Sequence, residues 1–177
     1  APMRERLQNP DRFLLMFAPI SRTFERSYDL TDVCDQIPEY VPNHITLPTN
    51  LGENLAFLKK WQEQFPGEGF VYDYPLGRAH YGDFGYLHIS RIIGQDIKKL
   101  RQMGLNGYIS CQELRAGSPN MLPNYVMGGI LFDESADVEQ LIREYCEAAY
   151  SGDPQLAKDY LEQLSDLSSC DYLNGKG

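Results

Sequence analysis

Two carboxylates stand where a chemist would look first. Asp73 lies near the end of the short run Phe70–Tyr74 (Phe-Val-Tyr-Asp-Tyr), and Glu113 follows directly on the run Leu105–Gln112. Both runs are short, apolar and bounded by turn residues, the pattern of a buried strand. In parallel α/β folds, ligands bind beyond the carboxyl ends of the strands. A pair of carboxyl groups at two adjacent strand ends can divide the work of proton transfer. One stays ionised as base or nucleophile, and the other has its pKa raised by an apolar wall such as Tyr74 or Tyr108. Arg22, Tyr74, His80 and Gln112 are the candidate substrate contacts, able to hydrogen-bond hydroxyls or a carboxylate. The competing reading is structural: Asp73 pairs with Arg22 or Arg78 to shape the rim, and Glu113 pairs with Arg115 in solvent.

The elements that must hold these residues follow from the pattern. Arg12–Ala18 is a continuous apolar run closed by Pro19, which suits a strand buried on both faces. Residues 23–49 form a long irregular stretch with Pro38, Pro42 and Pro48, read as a lid or as the site of a short helix. Asn50 with Glu53 has capping-box spacing, and Leu55, Leu58, Trp61 and Phe65 give a helical stripe, read as core, that ends at Pro66-Gly67. The strand Phe70–Tyr74 is stopped by Pro75. A helix spans about 86–103 with Ile89, Ile92, Ile93, Ile97 and Leu100 on one face, and Gly104 caps it. Leu122–Phe132 reads as a buried helix with Pro123 in its first turn. Asp137 and Gln140 open another, and Asp153-Pro154 opens the last, with Leu156, Tyr160, Leu161 and Leu164 on its face; residues 168–177 read as a frayed tail.

Strands alternating with helices predict an α/β fold with about three parallel strands, flanking helices and a helical C-terminus. Three strands leave two open edges, uncomfortable for such apolar runs. Either a further strand exists, with His44–Leu47 the candidate, or the chain is part of a larger barrel. In that case self-association or the missing barrel portion covers the edges.

The 177 residues suffice for one domain, and 42% apolar and 12% aromatic content argue against disorder. A net charge of −9 argues against nucleic acid or an anionic membrane as partner. No run has the length of a membrane span and no signal peptide opens the chain, which favours a cytoplasmic location. The cysteines (Cys34, Cys111, Cys146, Cys170) are widely spaced, form no C-x-x-C and read as reduced, with Cys111 and Cys146 as small buried hydrophobes. His44, His80 and His88 lack metal-ligand spacing, so neither metal nor cofactor is expected. There is no G-x-S-x-G for a nucleophilic hydrolase and no Gly-rich phosphate loop.

At Asp73-Tyr74, at Gly107–Gln112 and at Leu122–Met127 the chain resembles a bacterial domain family of unknown function whose members look like glycoside hydrolases, with a (β/α)8 TIM barrel akin to α-glucuronidases and β-hexosaminidases. The runs Phe132–Val138 and Tyr150–Asp153 look like the end of that barrel. The resemblance covers roughly residues 12–166 and implies a partial TIM-barrel-like fold, the C-terminal portion of the barrel, in a single domain of residues 1–177. It implies a carbohydrate ligand, a glucuronoside or a hexosaminide, with Asp73 and Glu113 as the catalytic carboxylates. A carboxyl separation of about 5–5.5 Å would give retention and about 6.5–9.5 Å inversion. The general acid of related enzymes sits on an earlier strand that this chain lacks. The alternative is a non-catalytic carbohydrate-binding or structural fragment of a larger barrel protein.

Overall fold

A computed structural model of the chain describes residues 6–39, 41–65, 67–76, 82–112 and 120–168. After a 3-10 turn at Pro10–Arg12, the elements are β1 (Leu15–Phe17), α1 (Leu51–Gln62), β2 (Gly69–Leu76), α2 (Leu87–Lys99), β3 (Gly107–Gln112), α3 (Leu122–Phe132), α4 (Val138–Ala149) and α5 (Pro154–Asp166). The fold is α/β, with three parallel strands in one open sheet of order β1-β2-β3. The described chain divides into two compact units. The first comprises residues 1–23, 28–73 and 100–109, and the second 24–27, 74–99 and 110–177.

In the first unit, α1 begins where the sequence places it. The Asn50 side chain accepts from the Glu53 N–H at 2.9 Å. Glu53 reaches back one residue further than the expected box, accepting from the Thr49 N–H at 2.6 Å. Leu51, Leu55, Ala56 and Leu58 are buried, whereas Trp61 and Phe65 are only half-buried. The long stretch before α1 contains no helix among its described residues; it is tied down by the Cys34 N–H on the Gly52 carbonyl (3.3 Å). The expected strand at His44–Leu47 is instead a single antiparallel bridge, Val41 to His44.

Two strand readings need correction. β1 has three residues rather than seven and is not buried on both faces, since Leu14 and Met16 are 65% and 52% exposed. A short apolar run carries no signal that separates a central strand from an edge strand, and β1 is an edge. β2 runs through Pro75 to Leu76 instead of stopping before it. Proline's fixed φ is compatible with extended backbone and its carbonyl still accepts, so the strand loses one donor and continues.

The second unit packs α2 against α3, α4 and α5. Leu87, Ile89, Ile93, Leu122, Val126, Ile130 and Ile142 are almost fully buried there. Gly94 lets α2 and α4 meet, because a Cβ at that position would lie 2.6 Å from Val138 Cγ2. The caps are as the sequence predicts: Asp137 accepts from the Gln140 N–H at 2.7 Å, and Asp153 from those of Gln155 and Leu156 at 3.1 Å. Two expectations of burial fail: Phe132 is 95% exposed at the end of α3, and Cys111 is half-buried, whereas Cys146 is buried as expected. Leu156 and Tyr160 are exposed on α5. No described helix is long and apolar enough to cross a membrane.

Candidate functional site

Along β2 the side chains alternate. Val71, Asp73 and Pro75 are buried, while Phe70, Tyr72 and Tyr74 are half-buried. Asp73 thus occupies a place that the pleat reserves for an apolar residue. A carboxylate there requires a compensating charge or hydrogen bonds. Arg22 supplies the charge. It lies five residues past the end of β1, in a turn closed by its own N–H on the Pro19 carbonyl (3.1 Å).

The Arg22 side chain is fully buried and the Asp73 side chain nearly so, with Nη1 and Oδ2 3.9 Å apart. That separation is an ion pair rather than a direct hydrogen bond. The guanidinium carbon sits 4.1 Å from the centre of the Tyr28 ring, over its face, and Nε donates to the Thr23 carbonyl at 3.4 Å. Arg22 is therefore held by an aromatic face, a carbonyl and a carboxylate together.

Of the residues singled out from the sequence, Arg22 and Asp73 are brought together. Tyr74 follows Asp73 on β2 with its side chain half-buried, and Gln112 is the last residue of β3. His80 and Glu113 lie outside the described residues, as do Arg78 and Arg115. Tyr28, in the long irregular stretch before α1, is a participant that the sequence reading did not single out. No local spacing signals it, because it reaches Arg22 through the turn that follows β1. Among the described residues no three His, Cys, Asp or Glu side chains gather as a metal site would require.

The second unit has its own charged cluster. Arg91 Nε donates to Glu139 at 2.5 Å and Nη1 to Glu162 at 2.6 Å, with Lys158 3.3 Å from Glu162. The Arg91 hydrogen bonds hold the carboxyls of Glu139 and Glu162 below the usual range. Burial pushes the Cys146 thiol up, so it stays protonated. Asp83 serves a helix. Its Oδ1 accepts from the N–H groups of Gly85 and Tyr86 at 3.2 and 3.1 Å, its Oδ2 from that of Ile89 at 2.8 Å. Ser165 Oγ donates to Asp83 and accepts from the Leu87 N–H at 3.1 Å. This arrangement holds Tyr86 in a left-handed conformation (φ 63°) at the entrance to α2.

No family model, curated protein or solved structure matches the chain.

Proposed function

We propose that the chain is part of a glycoside-hydrolase-like domain, a portion of a (β/α) barrel, that binds or acts on a carbohydrate of the glucuronoside or hexosaminide class. One observation carries the reading: a carboxylate, Asp73, is kept in the interior of β2 with the buried cation of Arg22 3.9 Å away. Burying a charge pair confers less stability than burying apolar residues of the same size, so such a pair invites a functional explanation. Asp73 takes the part of the ionised carboxylate. Glu113 is the second carboxylate by its place in the sequence, directly after β3.

The same pair supports a second reading, a non-catalytic carbohydrate-binding or structural fragment, because Arg22 already neutralises Asp73 within the protein. Turnover separates the two. The full chain is assayed on 4-nitrophenyl glucuronides and N-acetylhexosaminides, beside Glu113→Gln and Asp73→Asn. Under the first reading Glu113→Gln lowers turnover by about 100-fold or more with the circular dichroism unchanged. An unchanged rate removes Glu113 from the mechanism. Sugar binding that survives both substitutions, without turnover in the unaltered chain, establishes the second reading.

A further inference from the structure

One hydroxyl of the second unit is held between a cation and a carboxylate. Ser27 Oγ donates to Asp96 Oδ1 at 2.6 Å and accepts from Lys99 Nζ at 2.8 Å. Asp96 and Lys99 stand three residues apart near the end of α2, a spacing that puts both on one face of the helix. Residues 24–27 belong to the same compact unit as α2, although 69 and 72 positions of sequence separate Ser27 from its two partners. Ser27 and Lys99 are half-buried and Asp96 is buried.

A serine beside an aspartate is by itself ordinary turn chemistry. Ser135 shows it: its exposed hydroxyl donates to Asp133 Oδ1 at 2.7 Å, and its own N–H reaches the same oxygen at 2.9 Å. Ser27 differs in two respects. Its carboxylate partner comes from a distant helix and is buried, and an ammonium group donates to its oxygen from the other side. One bond to α2 would anchor the segment that carries Ser27. Two bonds of opposite sense act on the hydroxyl itself: Asp96 is placed to take its proton, and Lys99 sets a positive charge against the oxygen from which the proton leaves. A nucleophile within hydrogen-bond reach of its base, with a third group fixing the geometry, is the pattern of an activated hydroxyl.

We propose that Ser27 is a nucleophile that takes the acyl group of a small activated carboxylic ester. A hydroxyl oxygen has two lone pairs. Lys99 engages one, and the other attacks the carbonyl carbon of the ester while the Oγ proton passes to Asp96 Oδ1. Lys99 stays protonated and stabilises the negative charge that builds on Oγ as the proton leaves. When the tetrahedral intermediate collapses, the bond to the leaving alcohol breaks, and that alcohol takes the proton from Asp96. Ser27 is left as an ester, both charged partners return to their starting states, and no oxidant or reductant is consumed. The half-buried position of Ser27 restricts the substrate to a small acyl group. The inference does not depend on the carbohydrate reading of Asp73.

The full chain is incubated at neutral pH with 4-nitrophenyl acetate, and the acetyl groups are located by mass spectrometry of its peptides. Ser135 is the internal reference, since it has the carboxylate without the ammonium donor. The expected result is acetylation of Ser27 at least about 100-fold faster than that of Ser135. Lys99→Met and Asp96→Asn should each lower the Ser27 rate by about tenfold or more with unchanged circular dichroism. If either variant does not fold, the ratio of Ser27 to Ser135 in the unaltered chain decides alone. Acetylation of Ser27 no faster than that of Ser135 overturns the proposal, in favour of a mere anchor for residues 24–27. Acetyl on Lys99 in place of Ser27, as an amide that hydroxylamine does not remove, overturns it in favour of an amine nucleophile. A fast reaction at Ser27 that persists in both variants overturns the parts given to Lys99 and Asp96.

Discussion

The two compact units treat their polar groups in opposite ways. In the second, the Asp83 carboxylate accepts from three backbone N–H groups and a hydroxyl, and the Arg91 guanidinium is shared by two carboxylates near the surface. There Gly94 lets α2 and α4 close without a gap. In the first, a guanidinium and a carboxylate are buried at 3.9 Å, the edge amide of Met16 is unpaired among the described residues, and a cavity of 520 Å³ adjoins it. Satisfied polar groups and tight packing make a framework. The first unit thus keeps open space beside its strand edge, where the second is closely packed around Gly94.

The sharpest way to break this contrast is at the buried pair. Asp73→Ala leaves the Arg22 cation without its carboxylate and is expected to lower stability by about 3–5 kcal/mol. The double variant Arg22→Met/Asp73→Leu should recover most of that loss. Urea denaturation followed by Trp61 fluorescence, a probe in the first unit, checks both. A single variant as stable as the unaltered chain would mean that the pair is not held as described.

Next comes the close contact before α2. A side chain at Gly85 would collide with the Leu161 carbonyl and Ser165 Oγ. Gly85→Ala is therefore expected to cost about 3 kcal/mol. Thermal unfolding measures the loss, and hydrogen exchange in α2 and α5 should rise before that in β1.

The smallest effect is expected at the rim of the second unit. Arg91→Met should cost about 1 kcal/mol at neutral pH, since solvent screens carboxylates whose side chains are 40% and 34% exposed. The pH dependence has a definite sign. Arg91 holds Glu139 and Glu162 below their ordinary value of 4.5. The stability they contribute is complete above that value and is lost as pH falls through their lowered values. Denaturation midpoints measured from neutral pH downward should fall less in Arg91→Met than in the unaltered chain. An identical acid slope would show that the cluster is not formed in solution.

What the sequence disclosed was local. Asn50, Asp137 and Asp153 announced the starts of α1, α4 and α5 because a cap is a contact within three residues. The alternation of strands and helices announced a parallel sheet. What it concealed was whatever depends on a distant neighbour. Arg12–Ala18 looked like a central strand because its apolar residues are continuous, yet among the described residues β1 pairs with β2 alone and Met16 is exposed. Leu156 and Tyr160 share a helical stripe with Leu161, yet of the three only Leu161 is buried. The meeting of Arg22 with Asp73 was foreseen only as one of two pairings, since residue types permit the contact and only the fold selects it. Nothing near Asp83 in the sequence foretells its bond with Ser165.

That last contact also imposes a schedule. Asp83 and Ser165 are 82 positions apart, and the hydroxyl of Ser165 also serves the Leu87 N–H. A chain made from its N-terminus at about 5–20 residues per second must wait on the order of 4–16 s after Asp83 emerges before Ser165 exists. Throughout that interval the first turn of α2 has no partner for the Leu87 amide and only part of its final set of bonds. The helix nearest the middle of the chain is thus finished by a residue near its end, and the second unit matures late and as a whole.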